Sequence, residues 1–207
     1  MTAAENSVAL DGRALGKRGA ATRRRLLDAT GALLESNGLR ELRVVDIARE
    51  VGTSPATFYQ YFRDVQEAVL ALAEAVGEQT APLIERLDEP WEGERGLESV
   101  RRLVDGFLRF WDDHRAILRT RNLAAQEGDQ RFRDVRNESL RPITEGLSRK
   151  VTENGVPGVA PYAAAAALVA MMERMAAFHA DLEPLGVRRS DLVETTSRIV
   201  HQVVAGT

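Results

Sequence analysis

The side chains best suited to hold a polyanion lie in one run, TSPATFYQYF, residues 53–62. Hydroxyls of Thr57, Tyr59 and Tyr61 can donate to phosphate oxygens. The Gln60 amide carries the donor and acceptor that bidentate recognition of adenine requires, and Pro55 and Ala56 can touch a thymine methyl. Both are also small enough to let a helix approach closely. Ser54 can cap that helix, and Pro55 suits its first position, where no N–H bond is needed. Phe58 and Phe62, one turn apart, form the natural inward pair, packing on Leu26, Leu34 and Ile47. In a chain only 5% aromatic, this concentration has a purpose: two rings hold a short helix down, and two tyrosines stand at its phosphate-facing side.

Other groupings do less. Asp112-Asp113-His114 has the residue types of acid–base chemistry, but adjacent helical residues point in different directions, and the triplet reads as a helix end. His179 and His201 stand apart, without the spacing of a metal site. GRALGK (12–17) is one residue short of a phosphate-binding loop, and Arg18 stands where Ser or Thr would coordinate magnesium. No G-x-S-x-G occurs. No catalytic residue, metal or cofactor is expected, although an enzyme assembled from residues distant in sequence stays open.

The elements that must position these residues read as helix throughout. Residues 20–37 place Leu26, Thr30, Leu33 and Leu34 on one face, and Asn37-Gly38 ends that helix with a left-handed glycine. A short helix over 44–51 turns Val44, Ile47, Ala48 and Val51 inward, and Gly52 breaks it. The next runs from Pro55 to about Phe62. Asp64 caps a longer one, over 65–87. After a loop with Pro90, Gly93 and Gly96 come helices over 97–113, 115–127 and 130–154. Tyr162–Leu182 is apolar on several faces and so is buried on more than one side. Ser190 caps a last helix, with Leu192, Thr196, Ile199 and Val203 at helical spacing. The unit Val44–Phe62 is helix, glycine-containing turn, helix, the arrangement whose second helix enters the major groove of DNA.

Composition narrows the setting. The 207 residues are 44% hydrophobic and 29% charged, as in a globular protein with a real core. There is no cysteine, which excludes disulfides and thiolate metal sites. No secretory leader is visible and no apolar run is long enough to span a bilayer, so a cytoplasmic protein without a membrane partner is expected. The net charge of −3 hides an asymmetry. Residues 1–65 hold ten Lys/Arg against eight Asp/Glu, and the six cations Arg13, Lys17, Arg18, Arg23, Arg24 and Arg25 occur with no acid between 12 and 27. Such a run is either a solvated arm or a phosphate-binding one.

The stretch LLDATGALLESNGLRELRVVDIAREVGTSPATFYQYFRDVQEAV, residues 26–69, resembles the DNA-binding domain of the TetR/AcrR family of bacterial transcriptional regulators. The resemblance implies an all-α fold in three parts: a basic flexible arm (1–19), a three-helix helix-turn-helix domain (20–64) and a helical ligand-binding and dimerisation domain (65–207). It implies that Thr57, Tyr59 and Tyr61 contact phosphates, that Pro55, Ala56 and Gln60 face base edges, and that Arg43, Val44 and Val45 lie near the groove, with Ser54 opening the reading helix. Family members often carry Thr at the place of Arg43, a basic or polar residue at Val45, and a phosphate-binding Lys at Val65. Here Arg63 or the arm would replace that anchor.

For the second domain, Phe107, Phe110, Trp111, Leu118, Asn122, Met171, Met172, Met175 and Phe178 could line an apolar ligand cavity, with ordinary core packing as the alternative. The alanine-rich run 162–170 and the last helix could form a homodimer interface. The expected protein is a homodimeric regulator on a palindromic double-stranded DNA operator, a repressor released by a small apolar effector. A regulator activated by its ligand, or without one, and a helical small-molecule-binding protein or enzyme remain as alternatives.

Overall fold

The computed structural model describes residue 10, residues 14–154 and residues 158–205. Among these are ten α-helices and no strand: α1 (Lys17–Ser36), α2 (Val44–Val51), α3 (Pro55–Phe58), α4 (Val65–Gly77), α5 (Ala81–Glu85), α6 (Gly93–Asp113), α7 (Arg115–Gln126), α8 (Gln130–Glu153), α9 (Pro161–Leu182) and α10 (Arg189–Ala205). Short 3-10 turns occupy Glu78–Thr80, Arg86–Asp88 and Glu183–Leu185. The all-α architecture expected from the sequence is present. Residues 1–9 and 11–13 of the expected arm lie outside the described residues, and α1 already begins at Lys17.

The chain forms two compact units. The first comprises Met1–Gly77 and Arg115–Arg136, the second Glu78–His114 and Asn137–Thr207. In the first, α1 packs on α2, α4 and α7. Its core joins Leu26, Leu34, Ile47, Val51, Phe58, Phe62, Val69 and Phe132. In the second, α6 packs against α9 and α10, and α5 lies on α6. Its buried residues include Leu87, Trp91, Val104, Phe107, Trp111, Leu147, Met172 and Val200.

Several boundaries differ from the sequence reading, each for a local reason. α1 does end at Ser36, but not through a left-handed Gly38. Asn37, in extended conformation, closes it by donating both its backbone N–H (2.9 Å) and its side-chain Nδ2 (3.2 Å) to the Leu33 carbonyl. The left-handed cap is at Gly52 (φ 71°), where Thr53 N–H returns to the Ala48 carbonyl at 2.8 Å, the bond of a Schellman end. The helix expected over 65–87 stops at Gly77 and continues as 3-10 and α5 segments, because Pro82 has no N–H to give to the preceding turn. α6 begins four residues earlier than expected and includes Gly96. A Cβ at residue 96 would lie 2.1 Å from the Trp91 carbonyl carbon; only glycine permits that approach, which seats Trp91 at 2% exposure.

Ion pairs tie the second unit together. Arg101 binds Glu194 through Nε (2.6 Å) and Nη2 (3.0 Å), joining α6 to α10. Arg189 reaches Asp105 at 2.6 Å. Arg102 bonds to Glu89, and Lys150 Nζ to the Glu89 carbonyl at 3.1 Å, fixing the chain ahead of Trp91. His179, isolated in sequence, sits with Nε2 2.7 Å from Asp112 Oδ1.

Candidate nucleic-acid interface

The reading turn is built from its caps inward. Ser54 Oγ accepts the Thr57 N–H at 3.3 Å and lies 3.1 Å from Thr57 Oγ1. Pro55 opens α3, where its missing donor costs nothing. Regular helix ends at Phe58, not at Phe62. Gln60 N–H and Tyr61 N–H bond to the carbonyls of Thr57 (3.2 Å) and Phe58 (2.9 Å), three residues back, so the last turn is tightened. The tightening returns Phe62 to the core beside Phe58, with ring centroids 5.4 Å apart and both side chains buried. α4 then starts under a cap pair: Asp64 Oδ1 accepts the Glu67 N–H (2.8 Å) and Glu67 Oε2 accepts the Arg63 N–H (2.6 Å).

This frame sorts the candidate residues. Pro55, Ala56, Tyr59 and Gln60 are exposed, as is Ser54, while Thr57 and Tyr61 are half-buried. Tyr59 stands edge-on to Phe58 at 5.8 Å and is 52% exposed. Tyr61 instead packs its ring against the core and directs its hydroxyl at Gly19 of α1. On α2, Ile47, Ala48 and Val51 are buried and Val44 packs on the core. Arg43 is exposed at the helix start, and Val45 is 47% exposed. Val65 packs on the core, and the nearby Arg63 guanidinium lies 3.8 Å from Glu67.

The basic run divides by task. Arg23 lies over the Phe62 ring at 5.1 Å, and burial draws its guanidinium below its ordinary value while Glu74 and Glu67 pull the other way. Arg25 Nη2 donates to the Val51 carbonyl at 2.5 Å, satisfying the end of α2. Lys17, Arg18, Arg24 and Arg43 are exposed and pair with no acid among the described residues. In the second unit, by contrast, Arg101, Arg102, Arg109, Arg149, Arg188, Arg189 and Arg198 are all ion-paired. Cations without partners are the ones free to meet phosphate. One bond of the site had no signal in the sequence: the Leu10 N–H donates to the Gln60 carbonyl at 3.2 Å.

The residues expected to line a ligand cavity fall in both units. Phe107, Phe110, Trp111, Met171, Met172, Met175 and Phe178 belong to the second, Leu118 and Asn122 to the first. Phe107, Trp111, Leu118 and Met172 are buried; Phe110, Asn122, Met171, Met175 and Phe178 are partly so. Phe110 meets His114 edge-on at 5.0 Å, and burial holds the His114 pKa below its ordinary value, against the pull of Asp113. Arg174 covers the Phe178 ring at 3.7 Å. The Asn122 amide already has a protein partner, since its Oδ1 accepts from Arg121 Nε at 3.1 Å. Along α9, Tyr162, Ala163, Ala166, Ala167 and Ala170 are exposed, and on α10 so is Ile199.

Known proteins share both halves of this arrangement. Residues 26–72 match the model for bacterial regulatory proteins of the tetR family, and residues 83–207 match a tetracyclin repressor-like C-terminal domain. A curated relative, an uncharacterized HTH-type transcriptional regulator of Haemophilus influenzae, is 24% identical over 132 residues; the match spans 63% of each chain. Among solved structures, a tetR-family transcriptional regulator from Streptomyces coelicolor has a TM-score of 0.71 at 16% identity, covering 93% of this chain and 84% of that one. The transcriptional regulator FadR from Bacillus subtilis, in complex with stearoyl-CoA, has a TM-score of 0.63 at 16% identity, covering 89% and 98%. These structures share the fold. With one domain model covering most of the reading head and another more than half of the chain, the protein belongs to the TetR family of bacterial regulatory proteins.

Proposed function

We propose that the chain is a transcriptional regulator that reads a palindromic operator as a homodimer and releases it when a small apolar ligand binds the second unit. The observation that carries the DNA reading is the turn itself. Pro55, Ala56, Tyr59 and Gln60 face solvent on a segment pinned by the buried pair Phe58 and Phe62, within a unit whose cations Lys17, Arg18, Arg24 and Arg43 lack acidic partners among the described residues. Thr57, Tyr59 and Tyr61 serve phosphates, while Pro55, Ala56 and Gln60 serve base edges. Arg43, Val44 and Val45 border the groove.

The exposed alanines of α9, next to Tyr162 and with Ile199 on α10, suit close packing against a second copy. A two-fold dimer offers two reading turns to half-sites roughly 34–36 Å apart. The ligand reading draws on the aromatic and methionine side chains of the second unit and on FadR, a relative in fold seen with stearoyl-CoA. Coupling of about 1–3 kcal/mol would change operator affinity roughly 5–150-fold. The test is selection from a random duplex pool by the purified full chain at low ionic strength. Recovery of an inverted repeat supports the reading. Folded protein that prefers no duplex over random competitor removes it.

A further inference from the structure

The reading turn is held from outside at its exit. Gln60 lies two residues beyond α3, and its own N–H is used within the turn, on the Thr57 carbonyl. Its carbonyl is taken by the N–H of Leu10, at 3.2 Å, from the chain ahead of α1. At the next residue, the Tyr61 hydroxyl faces Gly19: a Cβ there would lie 3.7 Å from that oxygen. Leu10 and Gly19 therefore meet the exit of the reading helix at residues 60 and 61 in succession. A helix of four residues makes few bonds of its own and takes its direction from its surroundings. Bidentate recognition of a base tolerates little error in where the amide points.

We propose that Leu10 is a positioning residue for DNA reading: by holding the Gln60 carbonyl, its backbone N–H sets where the Gln60 amide meets a base edge. Leu10 acts through Gln60 and touches no DNA. The inference rests on the proposed base reading by Gln60.

The experiment uses three full-length variants. Leu10→Pro removes the donor, Leu10→Ala keeps it and trims the side chain, and Gln60→Ala removes the reader. Each is measured on the selected operator and on single-base-pair variants of it, with the slope of log affinity against log salt and the thermal midpoint recorded. Leu10→Pro should lower discrimination at the base pair read by Gln60 about fivefold, the weight of one net hydrogen bond. Its salt slope should not change, and Leu10→Ala should behave as wild type. Should the proline disturb folding, a semi-synthetic chain with the α-hydroxy analogue of leucine at position 10 removes the same N–H without the ring. Wild-type discrimination in the donor-less chain overturns the proposal, as does equal loss on every duplex with a shallower salt slope. If Gln60→Ala leaves sequence preference untouched, the reading by Gln60 fails and the proposal falls with it. That outcome is told apart because no variant then changes preference at any single base pair.

Discussion

Arg101 grips both carboxylate oxygens of Glu194, and Arg198 Nε shares one of them at 2.6 Å. Chiefly through the hydrogen bond from Arg101, the Glu194 pKa is lowered from 4.5 to about 2. A carboxylate held lower in the folded than in the unfolded chain adds stability that is fully present above its unfolded value and is lost as pH falls through the folded one. The pair therefore supports the fold at neutral pH, and its support fades between about 4.5 and about 2. Glu194→Gln should lower stability at pH 7 and make its decline over that window shallower. Urea titrations at a series of pH values check this; parallel curves for the two proteins would deny the pair its role.

Two glycines that look alike in sequence should respond oppositely to alanine. At Gly96 the new methyl would enter the Trp91 carbonyl, and overpacking of this kind costs about 1–3 kcal/mol or more. Gly38 has open space around it and no positive φ. Gly38→Ala should be neutral or stabilise by about 0.4–1 kcal/mol through the unfolded chain. Equilibrium denaturation of both variants decides the matter.

The cations of α1 should separate into two classes. Lys17→Ala and Arg18→Ala should each reduce the salt slope of operator binding by about 0.9 for every phosphate the side chain neutralises, with little change in stability. Arg25→Ala strips a donor from the Val51 carbonyl and should act mainly on stability, by about 1–3 kcal/mol. A salt slope unmoved by either of the first two substitutions would return them to plain solvated charge.

The Val45 side chain, exposed and without a polar atom, can add selectivity only through apolar contact. Replacing thymines of the selected half-site one at a time by deoxyuridine removes single methyl groups. One such replacement should weaken the wild-type protein more than it weakens Val45→Ala. Equal sensitivity in both proteins at every position would show that Val45 reads none of them.

Much of the reading head is legible in the sequence because its signals are local. Ser54, Pro55 and Asp64 mark helix starts by their side chains, Gly52 marks an end by its backbone freedom, and Phe58 and Phe62 declare an inward pair by spacing. At Gly38 the same rules name the wrong residue, since Asn37 performs the closure with its own amide. The pairing of His179 with Asp112, 67 residues apart, depends on how helices pack, which periodicity does not carry. The bonds of Arg25 to Val51 and of Leu10 to Gln60 end on backbone carbonyls. Every residue owns such an acceptor, so no residue type betrays which one is used.

The two hydroxyls at the head of α3 lie within hydrogen-bond distance of each other, and either can be the donor. Ser54 Oγ also takes the amide hydrogen of Thr57, which strengthens its hydroxyl as a donor. Two hydroxyl hydrogens serve one mutual bond, so whichever group donates inward, the other keeps a hydrogen to offer outward. That spare donor suits an anionic oxygen, giving the reading turn a chemical polarity before any charged side chain takes part.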